Sequence, residues 1–351
     1  MKIEPFSLPL STPLSTAAGT IDRREGFLID YRHRGETGVG EATPLPGWTE
    51  SVADCERALD AAAAAADEAE SDREGTGHGS GLLAMDAGET PAARHGFATA
   101  LLDADARADG VPLYEWFGTA DGPVESVPVN ATVGDGSVEA TVTAAEDAVG
   151  RGFDCLKLKV GARPLAEDRE RVRAVRDAVG PGTRLRLDAN ASYDRETAAE
   201  AIDAFASADV AYVEQPLPAD DLDGLRELRG RGVDIAVDES LTEYVAQEVL
   251  DAEAADVLIL KPMVVGGPGN AHTIAMRARE RGVEPVVTTT IDAVVARTAA
   301  VHVSAAIPDI RPCGLATAEM LAADLGPDPC SLADGRLSVP QSPGLGAEVS
   351  P

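Results

Sequence analysis

Three lysines and three carboxylates between positions 157 and 261 have the types and spacing to do chemistry. Lys159, Asp188, Glu214, Asp238 and Lys261 each close a short apolar run, and successive members stand about one strand–helix unit apart. Lys157 lies two residues before Lys159, so on a strand both side chains point to one face. Three carboxylates on adjacent strands, with no His or Cys beside them, make an oxygen donor set suited to Mg²⁺, with Mn²⁺ as an alternative. Without a cation such a set repels itself. Lysines on the flanking strands then face a substrate held at the metal. An ammonium ordinarily titrates near 10.4, but a divalent cation and a second ammonium nearby favour its neutral form, which suits Lys159 to act as a general base. A metal with such a base removes a proton next to a carboxylate and holds the enediolate that forms. The partner expected is a small-molecule carboxylate.

The choice of lysine is informative because lysine is scarce. The 351 residues contain only one more, Lys2, against 26 arginines. Arginine does not readily give up its proton, whereas lysine can be tuned to do so. One Asp or Lys at a strand end is ordinarily a solvated loop residue or a surface ion pair, but six in register point to catalysis. Lys2 is expected to be merely exposed.

The elements that must position these groups follow from the hydropathy pattern. From Val124 onward, apolar runs alternate with amphipathic stretches: VPVNAT, FDCLKLKV, RLRLDA, VAYVEQP, VDIAVDES, ADVLILKP, VEPVVTTT and DIRPCGL. These are eight candidate strands. Between them lie helix candidates such as Ala166–Val179, with Val172, Val175 and Val179 on one face and Gly180-Pro181-Gly182 as terminator. Alternation of this period predicts an α/β fold with a parallel sheet, and eight repeats predict a closed barrel whose chemistry sits at the C-terminal strand ends. A doubly wound sheet would be expected to carry a GxGxxG turn after its first strand, and none is there. The first third reads instead as α+β. Strands are expected over Ile3–Leu10 and Phe27–Tyr31, then Gly38-Val39-Gly40-Glu41, a helix from about Ser51 to Glu70, a polar loop over Ser71–Gly81, and a helix over Pro91–Asp109.

Composition bounds the remainder. Sixty acidic residues against 30 basic ones give a formal net charge of −30, a field that repels polyanions and argues against nucleic-acid binding. Acidic excess with little lysine suits a surface hydrated in concentrated salt, as in a halophile. No apolar run approaches the roughly 20 residues of a membrane span. The N-terminus, broken by Glu4, Pro5, Pro9 and Pro13, lacks the apolar segment of a signal peptide, so a cytoplasmic location is expected. Cys55, Cys155, Cys313 and Cys330 are scattered and read as reduced, and the five histidines lack zinc-site spacing. Oligomeric state is left open.

Lys157-Leu158-Lys159, Arg186-Leu187-Asp188-Ala189-Asn190, Glu214-Gln215-Pro216, Asp238-Glu239-Ser240 and Leu260-Lys261-Pro262 together resemble the enolase superfamily, muconate-lactonising-enzyme subgroup, whose lysine base and Mg²⁺ chemistry is a known pattern. The resemblance implies an enolase-like modified (β/α)7β TIM-type barrel over 121–315. It also implies an α+β capping domain over 1–120 and a C-terminal segment, 316–351, that packs back on the cap. It makes Asp188, Glu214 and Asp238 the Mg²⁺ ligands, Lys159 the acid/base residue, Lys157 its partner and Lys261 the lysine on the opposite face. Two further stretches, Gly38–Gly47 and Cys313-Gly314-Leu315-Ala316-Thr317 with Leu321–Leu325, are similar to o-succinylbenzoate synthases of menaquinone biosynthesis. That similarity implies a lyase that dehydrates 2-succinyl-6-hydroxy-2,4-cyclohexadiene-1-carboxylate.

Gly19, Thr290, Gly314 and Leu315 are then expected at the substrate, and Arg186, Asn190 and Asp292 behind the metal and lysines. Thr290-Ile291-Asp292 departs from the Ser-x-Glu of relatives. The loop Ser15–Thr20 is expected to close over the substrate. N-acylamino-acid racemase, dipeptide epimerase and muconate cycloisomerase activities would use the same metal and lysines. An epimerase for dipeptides is expected to carry Asp-x-Asp on the eighth strand, where Cys313-Gly314-Leu315 stands. A non-catalytic acidic scaffold would not be expected to retain the three lysines.

Overall fold

A computed structural model of the chain describes residues 1–16, 19–71, 82, 85–120 and 122–349. β1 (Lys2–Thr16), β2 (Gly19–His33) and β3 (Glu36–Ala42) form an antiparallel sheet in that order. β1 and β2 run well beyond the expected strands. The outer part of β2 is largely exposed, so apolar patterning does not register it, and the β1–β2 pairing shifts register between Pro9 and Leu14.

Helices α1 (Val52–Ser71) and α2 (Pro91–Asp109) complete this cap. α2 starts with Pro at its first position, where no N–H is missed, and stops at Gly110 in the left-handed region. The Glu50 carboxylate accepts from the Ala92 and Ala93 N–H groups at 3.0 and 2.8 Å, satisfying two donors that the helix start leaves free. The glycines of Gly38-Val39-Gly40-Glu41 have a packing reason. A Cβ on Gly38 or Gly40 would overlap the carbonyl oxygen of Ala100 or Gly96, so only glycine lets β3 lie against α2. Of the polar loop expected over Ser71–Gly81, everything after Ser71 lies outside the described residues, as do residues 17 and 18 of the Ser15–Thr20 loop.

After the short α3 (Leu113–Trp116) and β4 (Ser126–Pro128), seven strands alternate with seven helices. In order they are β5 (Ala131–Val133), α4 (Val138–Gly150), β6 (Cys155–Lys159), α5 (Leu165–Val179), β7 (Arg184–Asp188), α6 (Arg195–Ala206) and β8 (Val210–Glu214). α7 (Leu222–Leu228), β9 (Asp234–Val237), α8 (Ala246–Asp251), β10 (Val257–Leu260), α9 (Pro268–Glu280), β11 (Glu284–Val287) and α10 (Val294–Ala305) follow. β5 to β11 form one parallel sheet in sequence order. Each helix lays an apolar stripe on it; in α5 the buried stripe includes Val172 and Val175.

Two expectations need correction. VPVNAT is not one strand: β4 joins β12 (Leu332–Ala333) and β13 (Arg336–Ser338) in a separate antiparallel sheet, and only β5 enters the barrel. DIRPCGL is not a strand but two isolated bridges, Cys313 to Val129 and Gly314 to Thr288, which join the sheet's two edges. Pro312 brings no N–H to a ladder, and a Cβ on Gly314 would lie 2.5 Å from Thr288 Oγ1, so the closing segment stays short and close.

The chain then returns toward the cap. Leu345 and Ala347 pack with Leu28, Ala106, Leu113 and Val294, and the Leu345 N–H donates to buried Asp103 at 2.7 Å. No described helix is long and apolar enough to cross a membrane.

Candidate active site

Strand register sets the site. Lys159 pairs with Asp188, Asp188 with Glu214, and Glu214 with Ala236. Lys159, Asp188 and Glu214 therefore form a row across three adjacent strand ends. Asp238 follows β9 and Lys261 follows β10 on the same rim. The three carboxylates are 1, 1 and 4% exposed in chain order.

Lysines hold the acids. Lys157 Nζ donates to Asp188 Oδ2 and Glu214 Oε1, both at 3.0 Å, and Lys159 Nζ donates to Asp188 Oδ2 at 2.7 Å. Lys261 Nζ spans both Asp238 oxygens at 2.7 and 2.6 Å. The electrostatics follow. Burial pushes Glu214 up to about 7, with the Asp188 charge adding to it and Lys157 opposing. Burial also works to raise Asp188, but Lys157 and Lys159 outweigh it and hold this carboxyl below the usual range. Asp238 is raised by burial against the pull of Lys261. Burial favours neutral Lys157, yet Asp188 and Glu214 hold its pKa well above the ordinary value, so it is a fixed cation between two acids.

Among the described residues, no three His, Cys, Asp or Glu side chains converge as a finished metal cage. Here the lysine ammoniums neutralise the acids. The donor set nevertheless fits a hard divalent cation, because three buried carboxylates share one rim and no nitrogen or sulfur ligand accompanies them. A fourth carboxylate, Glu239, adds a buried oxygen, Oε2, with no hydrogen-bond partner.

Asn190 bonds Lys159 Nζ at 2.7 Å through Oδ1 and Glu239 at 3.0 Å through Nδ2. Gln215 ties two rim turns together: its Oε1 accepts from the Asp238 and Ser240 N–H groups at 3.0 and 3.2 Å. Sequence reasoning gave no role to Trp48 or Glu239. The Trp48 ring, from the cap, lies over Lys261 with Nζ 3.3 Å from its centroid, a cation–π contact. The signal for it was an aromatic directly after the Pro-rich turn Pro44–Gly47.

The other expected site residues make contacts of their own. Arg186 points into the barrel, over the Tyr212 ring at 4.9 Å, and donates to Asn130 Oδ1 and the Pro312 carbonyl rather than to the acids. Leu315 is fully buried in the barrel core, and Gly314 serves the close approach to Thr288. Thr290 donates to Asp292 at 2.5 Å, and both are buried. Gly19 adopts φ 131° in the β1–β2 hairpin.

Asp292 belongs to a junction between cap and barrel. The Glu41 carboxylate accepts from the Ala293 and Ala296 N–H groups at the start of α10, both at 2.8 Å. Buried Arg24 donates to the carbonyls of Thr43 at 2.8 Å, Pro44 at 3.1 Å and Ile291 at 3.3 Å. These bonds lock the turn leading to Trp48 onto the barrel rim.

The family profile described as "Enolase C-terminal domain-like" matches residues 140–351. The chain belongs to the enolase superfamily. An o-succinylbenzoate synthase of Thermobifida fusca is 40% identical over 222 residues, 61% of this chain and 67% of that protein. A chloromuconate cycloisomerase of Pseudomonas putida is 27% identical over 374 residues, covering 100% of this chain and 97% of the relative. The solved, substrate-liganded L-Ala-D/L-Glu epimerase of Bacillus subtilis superposes with TM-score 0.85 at 30% identity, over 98% of this chain and 97% of that one. Members of the superfamily bind Mg²⁺, and solved dipeptide epimerases of this fold are complexed with it.

Proposed function

We propose that this superfamily enzyme is an o-succinylbenzoate synthase, a Mg²⁺-dependent lyase converting 2-succinyl-6-hydroxy-2,4-cyclohexadiene-1-carboxylate to 2-succinylbenzoate. The observation that carries the reading is the segment closing the barrel. Cys313 and Leu315 are fully buried and apolar around Gly314, leaving no carboxylate there to hold a substrate amine. The 40% identity to the Thermobifida fusca synthase agrees with it.

Asp188, Glu214 and Asp238 would hold the metal, which when bound supplies positive charge opposite the substrate carboxylate. Lys159, at the more exposed end of the row, takes the proton next to that carboxylate and delivers it to the departing hydroxyl on the same face, giving syn elimination. Lys261, fixed between Asp238 and Trp48, presents positive charge from the other side. Lys157 stays charged and keeps Asp188 and Glu214 apart from each other's repulsion.

The test is the ultraviolet change as the cyclohexadiene acid becomes aromatic, followed with Mg²⁺ in molar KCl because of the net charge of −30. Turnover supports the reading, and none by folded, Mg²⁺-binding protein rejects it. Asp238→Asn is expected to weaken Mg²⁺ binding more than about tenfold by calorimetry. Racemisation of an N-acylamino acid is the second reading, favoured by lysines on both sides of the acid row and by the fold shared with the Bacillus subtilis epimerase.

A further inference from the structure

We propose that Glu239 is a positioning residue for Lys159, acting through Asn190. The inference rests on Lys159 being the base. Lys159 Nζ donates to Asn190 Oδ1 at 2.7 Å, and Asn190 Nδ2 donates to Glu239 Oε1 at 3.0 Å. An ammonium only donates and a carboxylate only accepts, so just one orientation of the Asn190 amide satisfies both neighbours. Its backbone is fixed as well. Asn190 sits at φ 44°, in the left-handed region that Asn tolerates, and its N–H donates to Asp188 Oδ1 at 3.1 Å.

Lys159 Nζ has one other acceptor here, Asp188 Oδ2 at 2.7 Å. Two acceptors give the ammonium a direction, whereas one leaves a four-carbon side chain pivoting on a single bond. Glu239 opens the 3₁₀ turn Glu239–Thr242, directly after Asp238. Its two oxygens have different surroundings: Oε1 accepts from Asn190, and Oε2 is buried with no hydrogen-bond partner. Removing the carboxylate frees the amide, and the amide frees the lysine. A displacement near 1 Å at a reacting group costs on the order of 100-fold in rate.

The experiment compares Glu239→Ala with Glu239→Gln. Glutamine keeps an oxygen that accepts from Asn190, whereas alanine has none. Glu239→Ala is expected to lower kcat by about 10- to 100-fold with little change in KM, and Glu239→Gln to recover most of that loss. A second readout needs no substrate. The chain has four lysines, so ¹³Cε-labelled lysine gives four positions to follow by NMR, with Lys159 assigned from Lys159→Arg. The Lys159 signal is expected to move in Glu239→Ala and to return in Glu239→Gln, while that of Lys2 stays. An unmoved Lys159 signal in Glu239→Ala overturns the proposal, as does a glutamine variant as impaired as alanine. If the wild type fails to turn over the cyclohexadiene acid, the functional reading falls and the NMR comparison still decides this one.

Discussion

Lys159→Ala is expected to lose about 10²- to 10⁴-fold in turnover, the usual worth of a positioned acid/base group. In the dehydration proposed, Lys159 acts twice, taking the proton and then delivering it to the hydroxyl, so no later step bypasses it. Lys159→Arg retains the positive charge beside Asp188 but not the ability to lose a proton, and is expected to be as inactive. Lys2→Ala is the control: its side chain is 57% exposed and paired with Glu4 on the cap. Turnover is read by the ultraviolet change, with circular dichroism in the same salt showing that each variant is folded. Activity in Lys159→Arg within tenfold of the wild type would remove Lys159 from the role of base. The same panel separates the two functional readings, because a racemase variant lacking one of two lysines can still exchange the substrate proton from the opposite face.

Strand-end charge was readable from sequence because barrel strands are short and buried, and a charged residue closing an apolar run has few places to go but the rim. Asp188, Glu214 and Lys159 meet in one register row for that reason. Arg186 is held differently. It shares a face with Asp188, but two residues along a strand are about 6.6 Å, enough to put the guanidinium a layer below the acids, over Tyr212. Lys157 stands in that same layer, paired with Arg186, and its flexible stem carries the ammonium up to Asp188 and Glu214. Trp48 and Glu239 were missed for another reason: their roles depend on which segments meet in space, and local spacing does not encode that. The closing strand was over-read because apolar runs flanked by proline and glycine look alike whether they form a ladder or only two bridges.

Glu41 is expected to control how stability responds to pH through the cap–barrel junction. Its carboxylate receives two N–H groups from the start of α10, residues more than 250 positions away in sequence, and a hydroxyl from Thr43. Burial is the largest influence on it, and with the nearby Asp292 charge it lifts the pKa from 4.5 to about 7, against the three hydrogen bonds. The folded protein therefore binds this proton more tightly than the unfolded chain does. The resulting stability is fully present below pH 4.5 and is lost as pH rises through about 7, an effect of roughly 3 kcal/mol at 1.36 kcal/mol per unit. Glu41→Gln cannot ionise, so the wild-type advantage over it is expected to be largest near pH 4.5 and to shrink by that amount above pH 7. Glu41→Ala leaves the Ala293 and Ala296 N–H groups buried without an acceptor and is expected to cost about 3 kcal/mol at pH 5. Urea unfolding at constant high salt, repeated at pH 4.5, 5, 6 and 7.5, measures both effects. A wild-type-minus-glutamine difference that does not change across that range would mean the junction carries an ionised Glu41 throughout, and the cap would then be held by charge at the α10 N-terminus rather than by a protonated carboxyl.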